Sequence, residues 1–257
     1  MQFHADAQVI TPPNNSSSRC RDVLLKLSQR LGNPFGDAFA FAMGIEGYDA
    51  ANPDHKDLVR IGMSELRKQI ILIIGDLQRM NIITPELYGA MIGARDVLGN
   101  IDRLDGATSQ YPQLIDEKVA LTFGWAACVI ETNSEVIDYE LIAEILSELM
   151  ALKTMMSSTK LPAETRILFK RLIDSLERAA IEANFTGLGS IKRAVREAKH
   201  DAEDVSDKLK QENTNMSDEH KDFLTSASGV FEKFGKIVSA AKEFAAIVVP
   251  AAAILLG

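Results

Sequence analysis

Residues 52–80 read NPDHKDLVRIGMSELRKQIILIIGDLQRM, and this stretch decides the fold. Asn52 can cap a helix with its side chain, and Pro53 at the first helical position lacks an N–H that would go unbonded there. Behind them Val59, Met63, Leu66, Ile70, Ile73, Leu77 and Met80 recur at alternating spacings of four and three. That period draws one apolar seam along a helix packed lengthwise against others. Ile71 and Ile74 widen the stripe, so the helix is expected to be central in a bundle rather than half of a two-stranded coil.

The same grammar repeats downstream. Thr84-Pro85 is a second cap-plus-proline start, and Leu87, Met91, Ala94, Leu98 and Ile101 continue the spacing. The link from Met80 to Thr84 is short, which predicts an antiparallel hairpin. After a loop from Asp105 to Tyr111, Pro112 opens a helix to about Thr132. It is very apolar from Val119 to Ile130 and carries the only tryptophan, Trp125, so it is expected to be buried nearly all round. Ser134 is read as the cap of the next helix, with Ile142, Ile145, Leu149, Leu152 and Met156 on its seam. Pro162 opens another, striped by Phe169, Leu172, Leu176, Ala179 and Ala183 and broken from Asn184 to Gly189. Ser190 then caps a helix with Ile191, Ala194, Ala198, Ala202, Val205 and Leu209 inward, a thin stripe that packs on one side only.

Upstream, Ser18 is read as the cap of a helix from Arg19 to Leu31, stopped by Gly32 and Pro34, and a short helix carries Phe35, Phe39 and Met43. Thr11-Pro12-Pro13 and the serines of 16–18 mark residues 1–18 as an irregular arm. No alternating run of strand length occurs. The expected architecture is all-α, a multi-helix bundle of about seven helices over residues 19–210. A polar linker (211–217) and an amphipathic-to-apolar C-terminal helix (218–257) follow.

Composition narrows the function. A net charge of −8 argues against non-specific nucleic-acid binding, which needs clustered Lys and Arg. Two distant cysteines, Cys20 and Cys128, make neither a disulfide framework nor a paired-thiol metal site and suit a reducing cytoplasm. The polar first residues are not expected to form a secretory signal. There is no phosphate loop, nucleophile elbow or His-Glu-x-x-His. Glu197-x-x-His200 has the spacing of carboxylate-bridged di-iron bundles, but there is no second copy, and the inward positions beside it are alanine and valine. It reads as a solvated face, as do Asp201, Glu203, Asp204 and Asp207. Cys128 reads as core packing. His55 follows a helix start, where a cation is mildly unfavourable, and receives no catalytic role. The sequence therefore predicts no enzyme, no metal and no cofactor.

One stretch does suggest a job. The chain turns amphipathic around Phe231, Phe234, Ile237 and Val238, and runs apolar from Phe244 to Leu256 through Ile247, Val248, Val249, Ile254 and Leu255. Left in water, such a run loses roughly 25 cal/mol per Å² of apolar surface. Its thirteen residues fall short of the about 20 that span a bilayer. Extending it back to Ile237 brings in Lys242 and Glu243, and Pro250 can kink it. Three destinations satisfy it: a groove of its own bundle, a bilayer entered after release as an oligomer, or a protein partner.

Leu161-Pro162-Ala163-Glu164-Thr165-Arg166, with Leu172, Leu176, Ala179-Ala180-Ile181 and Gly187-Leu188-Gly189-Ser190-Ile191, resembles a segment of uncharacterised bacterial all-helical proteins that end in an Ala/Val-rich apolar helix. Some of these are similar to antiphage-defence components. The resemblance covers about the last hundred residues, and no functional residue carries over from it. It implies a bacterial origin and a defence or membrane-perturbing role, nothing sharper. The terminal apolar run itself predicts a non-enzymatic effector that oligomerises and perturbs or permeabilises a membrane through residues 231–257. The alternative is a soluble helical adaptor whose apolar tail forms a protein–protein interface. The expected partners are copies of the same chain or another helical protein, and membrane lipid. The expected location is the cytoplasm, with membrane association on activation.

Overall fold

A computed structural model describes residues 14–130, 138–161, 163–197, 222–223, 225–230 and 233. Within them the chain forms α1 (Ser16–Ser28), α2 (Phe35–Ala42), α3 (Pro53–Arg79), α4 (Pro85–Asn100), α5 (Pro112–Ile115), α6 (Glu117–Val129), α7 (Tyr139–Ser158) and α8 (Ala163–Thr186). Residues 189–197, 222–223, 225–230 and 233 are also helical. No strand is present among the described residues, and the fold is an all-α bundle.

The central helix forms as its sequence dictates. The Asn52 side chain accepts from the Asp54 N–H at 2.9 Å, and α3 runs from Pro53 to Arg79. Val59, Leu66, Ile70, Ile73 and Leu77 are buried on its seam. The seam ends one residue early: Met80 is the C-cap and exposed, and Ile71 is exposed while Ile74 is buried. The extra width therefore lies on one side, and α3 is covered by α1, α2, α4 and α8 without being enclosed. Asn81 takes the left-handed conformation, φ +55°, which asparagine tolerates, and turns the chain into α4. Thr84 caps that helix as expected, and α4 packs back along α3.

α1 is the second organiser. It lies against α6 and also touches α2, α3, α5 and α8. It begins at Ser16, capped by Asn15, so the expected cap at Ser18 and start at Arg19 are each three residues late. Ser18 is instead the far half of a capping box: Asn15 Oδ1 accepts from the Ser18 N–H, and the Asn15 N–H donates to Ser18 Oγ, each at 3.0 Å. The Asn15 amide then donates to the Ala127 and Ile130 carbonyls at 2.9 and 3.1 Å, closing the C-terminus of α6. Ser17 Oγ donates to Phe123 O, and Arg19 Nε donates to Phe185 O at the end of α8. Asn15 and Ser17, which look like part of a loose polar arm, are buried where they bond carbonyls of α6, two of them at its C-terminal end, while Arg19 bonds one at the end of α8. At the other end α1 stops at Ser28, and Leu31 is exposed in the turn beyond it.

Two further expectations are corrected. The single helix from Pro112 to Thr132 is two helices: Asp116 ends the short α5 and caps α6 through the Lys118 N–H at 2.9 Å. Only one face of α6 is covered, so Trp125 is 41% and Leu121 66% exposed, and Cys128 is exposed rather than core. Near the end of α8, Asn184 does not break the helix. It lies buried inside it, and α8 runs on to Thr186 before Gly187, at φ +80°, turns the chain. Ser190 is not a cap; it is buried and donates to the Ala179 carbonyl at 3.0 Å. α7 starts at Tyr139, capped by Asp138, and buries its whole predicted seam. Ser134 and Pro162 lie outside the described residues.

Candidate functional site on the α7 and α8 face

The residues singled out by the apolar run, Phe231, Phe234, Ile237, Val238, Phe244, Ile247, Val248, Val249, Ile254, Leu255 and Leu256, lie outside the described residues. So do His200 and the acidic patch from Asp201 to Asp207. What is described is the root from which the run continues. Phe223, Ala227 and Val230 recur at spacings of four and three and are buried. The Phe223 ring stands edge-on to Phe169 of α8, with centroids 5.0 Å apart and planes at 82°. Lys233 reaches α7, where its ammonium bonds Glu144 at 2.6 Å and also Glu148. Those two bonds hold it above the usual lysine range. The carboxylates stand four residues apart, one helical turn, so a single cation spans both.

A second constellation stands farther along α7. Lys153 Nζ lies 2.9 Å from Asp174 Oδ1, 3.0 Å from Glu177 Oε2 and 3.6 Å from Asp54 Oδ2. Asp174 and Glu177 share one face of α8, three residues apart, and Asp54 stands in the first turn of α3. One ammonium thereby joins three helices. Burial alone would lower the Lys153 pKa; the hydrogen bond to Asp174 and the charge of Glu177 more than reverse this, so it stays charged. Glu177 is 2% exposed, and burial pushes its carboxyl up against the opposing pull of Lys153. Its Oε1 is buried and has no hydrogen-bond partner in the structure.

Two clefts open on either side of this cluster, and both are lined by Asp54, Leu58, Lys153 and Glu177. The first, of about 540 Å³, adds Glu46, His55, Met150, Thr154 and Ser157. The second, of about 470 Å³, adds Asp57, Asp174, Arg178 and Glu197. His55, set aside on sequence grounds, has its Nδ1 accepting from the Asp49 N–H at 2.9 Å, which leaves the proton of the neutral ring on Nε2. No group of three metal-ligating side chains converges among the described residues. Nor is any described helix long and apolar enough to cross a membrane.

Sequence reasoning missed Lys153 and Glu177. The signal was present: Glu177 falls among Ile173, Leu176 and Ala180 on the inward face of α8, and a charge inside an apolar stripe is expected to have a partner. Which partner it meets depends on how α7 crosses α8, and neither helix alone carries that information.

No family profile, curated protein or solved structure matches the chain. The resemblance to bacterial all-helical proteins therefore has no counterpart among these comparisons.

Proposed function

We propose that this protein is a non-enzymatic helical effector whose bundle carries an apolar C-terminal segment for delivery to a membrane, where it acts as an oligomer. The observation that supports this is the root: Phe223, Ala227 and Val230 dock on the bundle, Lys233 pairs with α7, and the chain then continues into the apolar run from Phe244 to Leu256. A segment clamped at its base and apolar at its end can change partner without unthreading the core. The proposed location is the cytoplasm, with membrane association on activation, and the proposed setting is bacterial antiphage defence.

The test is dye release from liposomes by the full chain and by residues 1–233, a truncation that keeps the docked root. Release by the full chain alone supports membrane delivery. Equal release, or none at any protein concentration, rejects it.

A second reading is favoured by a separate observation. Leu121, Trp125 and Val129 form an exposed apolar stripe on α6, of the kind that marks protein contacts. Under it the protein is a soluble helical adaptor, and the 1–233 truncation loses oligomer or partner binding in water without any effect on lipid.

A further inference from the structure

The loop from α2 to α3 is tied together at one residue. Asp49 donates its N–H to His55 Nδ1 at 2.9 Å. Its side chain accepts the Ala51 N–H at 2.8 Å, and its carbonyl accepts the Asn52 N–H at 3.0 Å. Asn52 in turn caps α3 through the Asp54 N–H at 2.9 Å. The loop and the start of α3 therefore form one hydrogen-bonded ring, closed by the imidazole. Of these bonds, only the one to His55 has an acceptor of the kind that titrates between about pH 5 and 8.

An imidazole nitrogen accepts only while it carries no proton. Protonation puts a hydrogen on Nδ1, and it then meets the Asp49 N–H donor to donor. The charges around the ring decide where it turns next. Glu46 and Asp49 lie in the loop, Asp54 precedes His55 on α3, and Glu177 of α8 lines the same cleft as the ring. Against these carboxylates stand Lys56, the next residue on α3, and Lys153 of α7, which is already held by Asp54, Asp174 and Glu177. The positive end of the α3 dipole also opposes an imidazolium in the first turn. The Tyr48 ring, 6.2 Å away between centroids, adds no charge at these pH values. His55 itself is only partly buried, so a proton reaches it without unfolding. We propose that His55 is a pH-sensitive clasp: its neutral ring holds the Asp49 N–H and ties residues 46–52 to the first turn of α3, and its protonated ring lets that donor go, turns to the carboxylates of Glu46 and Asp49, and frees the loop. Glu46, Gly47 and Asn52 line the cleft of about 540 Å³, so release loosens one wall of that cleft in the same step. This inference is independent of the C-terminal segment and of membrane delivery.

The test is nuclear magnetic resonance on the full-length protein, following the Asp49 amide and the His55 ring from about pH 8 to about pH 5. The Asp49 amide proton should shift with the same midpoint as the ring. Its protection factor, corrected for the pH dependence of intrinsic exchange, should fall about fivefold, the worth of one ordinary hydrogen bond. Amides of α4 and α6 should keep their protection over the same range. His55→Asn places an oxygen acceptor near the position of Nδ1 and cannot be protonated there, so the loop should stay protected at both pH values. His55→Ala should leave the loop unprotected at both. Three results each overturn the proposal: an Asp49 amide that does not move with the ring, loop protection unchanged at about pH 5, or a pH step that persists in His55→Asn. Should either variant fold poorly, the wild-type titration decides the matter alone.

Discussion

Replacing Lys153 by methionine removes one cation and leaves the shape of its stem nearly intact. Glu177 is then buried beside Asp174 with nothing opposite. Breaking a buried ion pair from one side costs about 3–5 kcal/mol. Here the loss is smaller, because Asp54 and Asp174 are about half exposed and regain water. About 2–3 kcal/mol is expected, or a fall in Tm of about 4–12 °C for a chain of this size. The deficit must depend on pH. The Glu177 carboxyl is already raised in the folded state, so the stability it contributes is complete below the ordinary carboxyl range and is lost as pH rises through its folded value. Without Lys153 that folded value climbs further, and the window of loss moves up with it. The Lys153→Met deficit should therefore be smaller at about pH 5 than at about pH 8. Urea melts of wild type, Lys153→Met and Lys153→Met/Glu177→Met provide the assay. The double variant should recover most of the loss, since an apolar pair replaces a broken ionic one. A single variant within about 0.5 kcal/mol of wild type, or a double variant worse than the single at both pH values, refutes this account of the cluster.

Asn15→Ala should cost about 1–3 kcal/mol in a thermal or urea melt, more than an ordinary cap, because it also strips a donor from the Ala127 and Ile130 carbonyls. Phe223→Ala should detach the root before the bundle melts; limited proteolysis should cut near residue 223 while the far-ultraviolet signal of the bundle persists. Lys233→Glu sets a third carboxylate against Glu144 and Glu148 and should speed amide exchange around 225–233 without shifting the global melt. In native protein a chromogenic disulfide should titrate Cys128 alone. Cys20 is fully buried and its thiol is pushed far up by burial, so it should react only after unfolding.

Helix class and seam were legible because they depend on local period. Val59 through Leu77, Ile142 through Met156 and Phe169 through Ala183 all turn inward as their spacing says. Caps were legible where one polar side chain served its own helix, as Asn52 and Thr84 do. They were not legible where the side chain also served distant helices: Asn15, Ser17 and Arg19 act across more than a hundred residues of chain, and a run of serines read locally says only loop. Burial of α6 was misread for a related reason. Apolar content sets how much surface asks to be covered, while the neighbours decide which side is, and here Leu121, Trp125 and Val129 were left out. The candidate cleft was illegible because its acids come from the turn before α3, from α3 and from α8, and its lysine from α7.

The bonds from Asn15 to Ile130 and from Arg19 to Phe185 impose an order on events during synthesis. Of the described helices α1 is made first and is among the last to be completed, since the carbonyls that finish it do not exist until more than a hundred further residues have been translated. Until then its inward leucines must be shielded by transient contacts or by a chaperone. Slowing translation between codons 130 and 185 should prolong that vulnerable interval and raise the fraction lost to aggregation, whereas a pause after codon 190 should not.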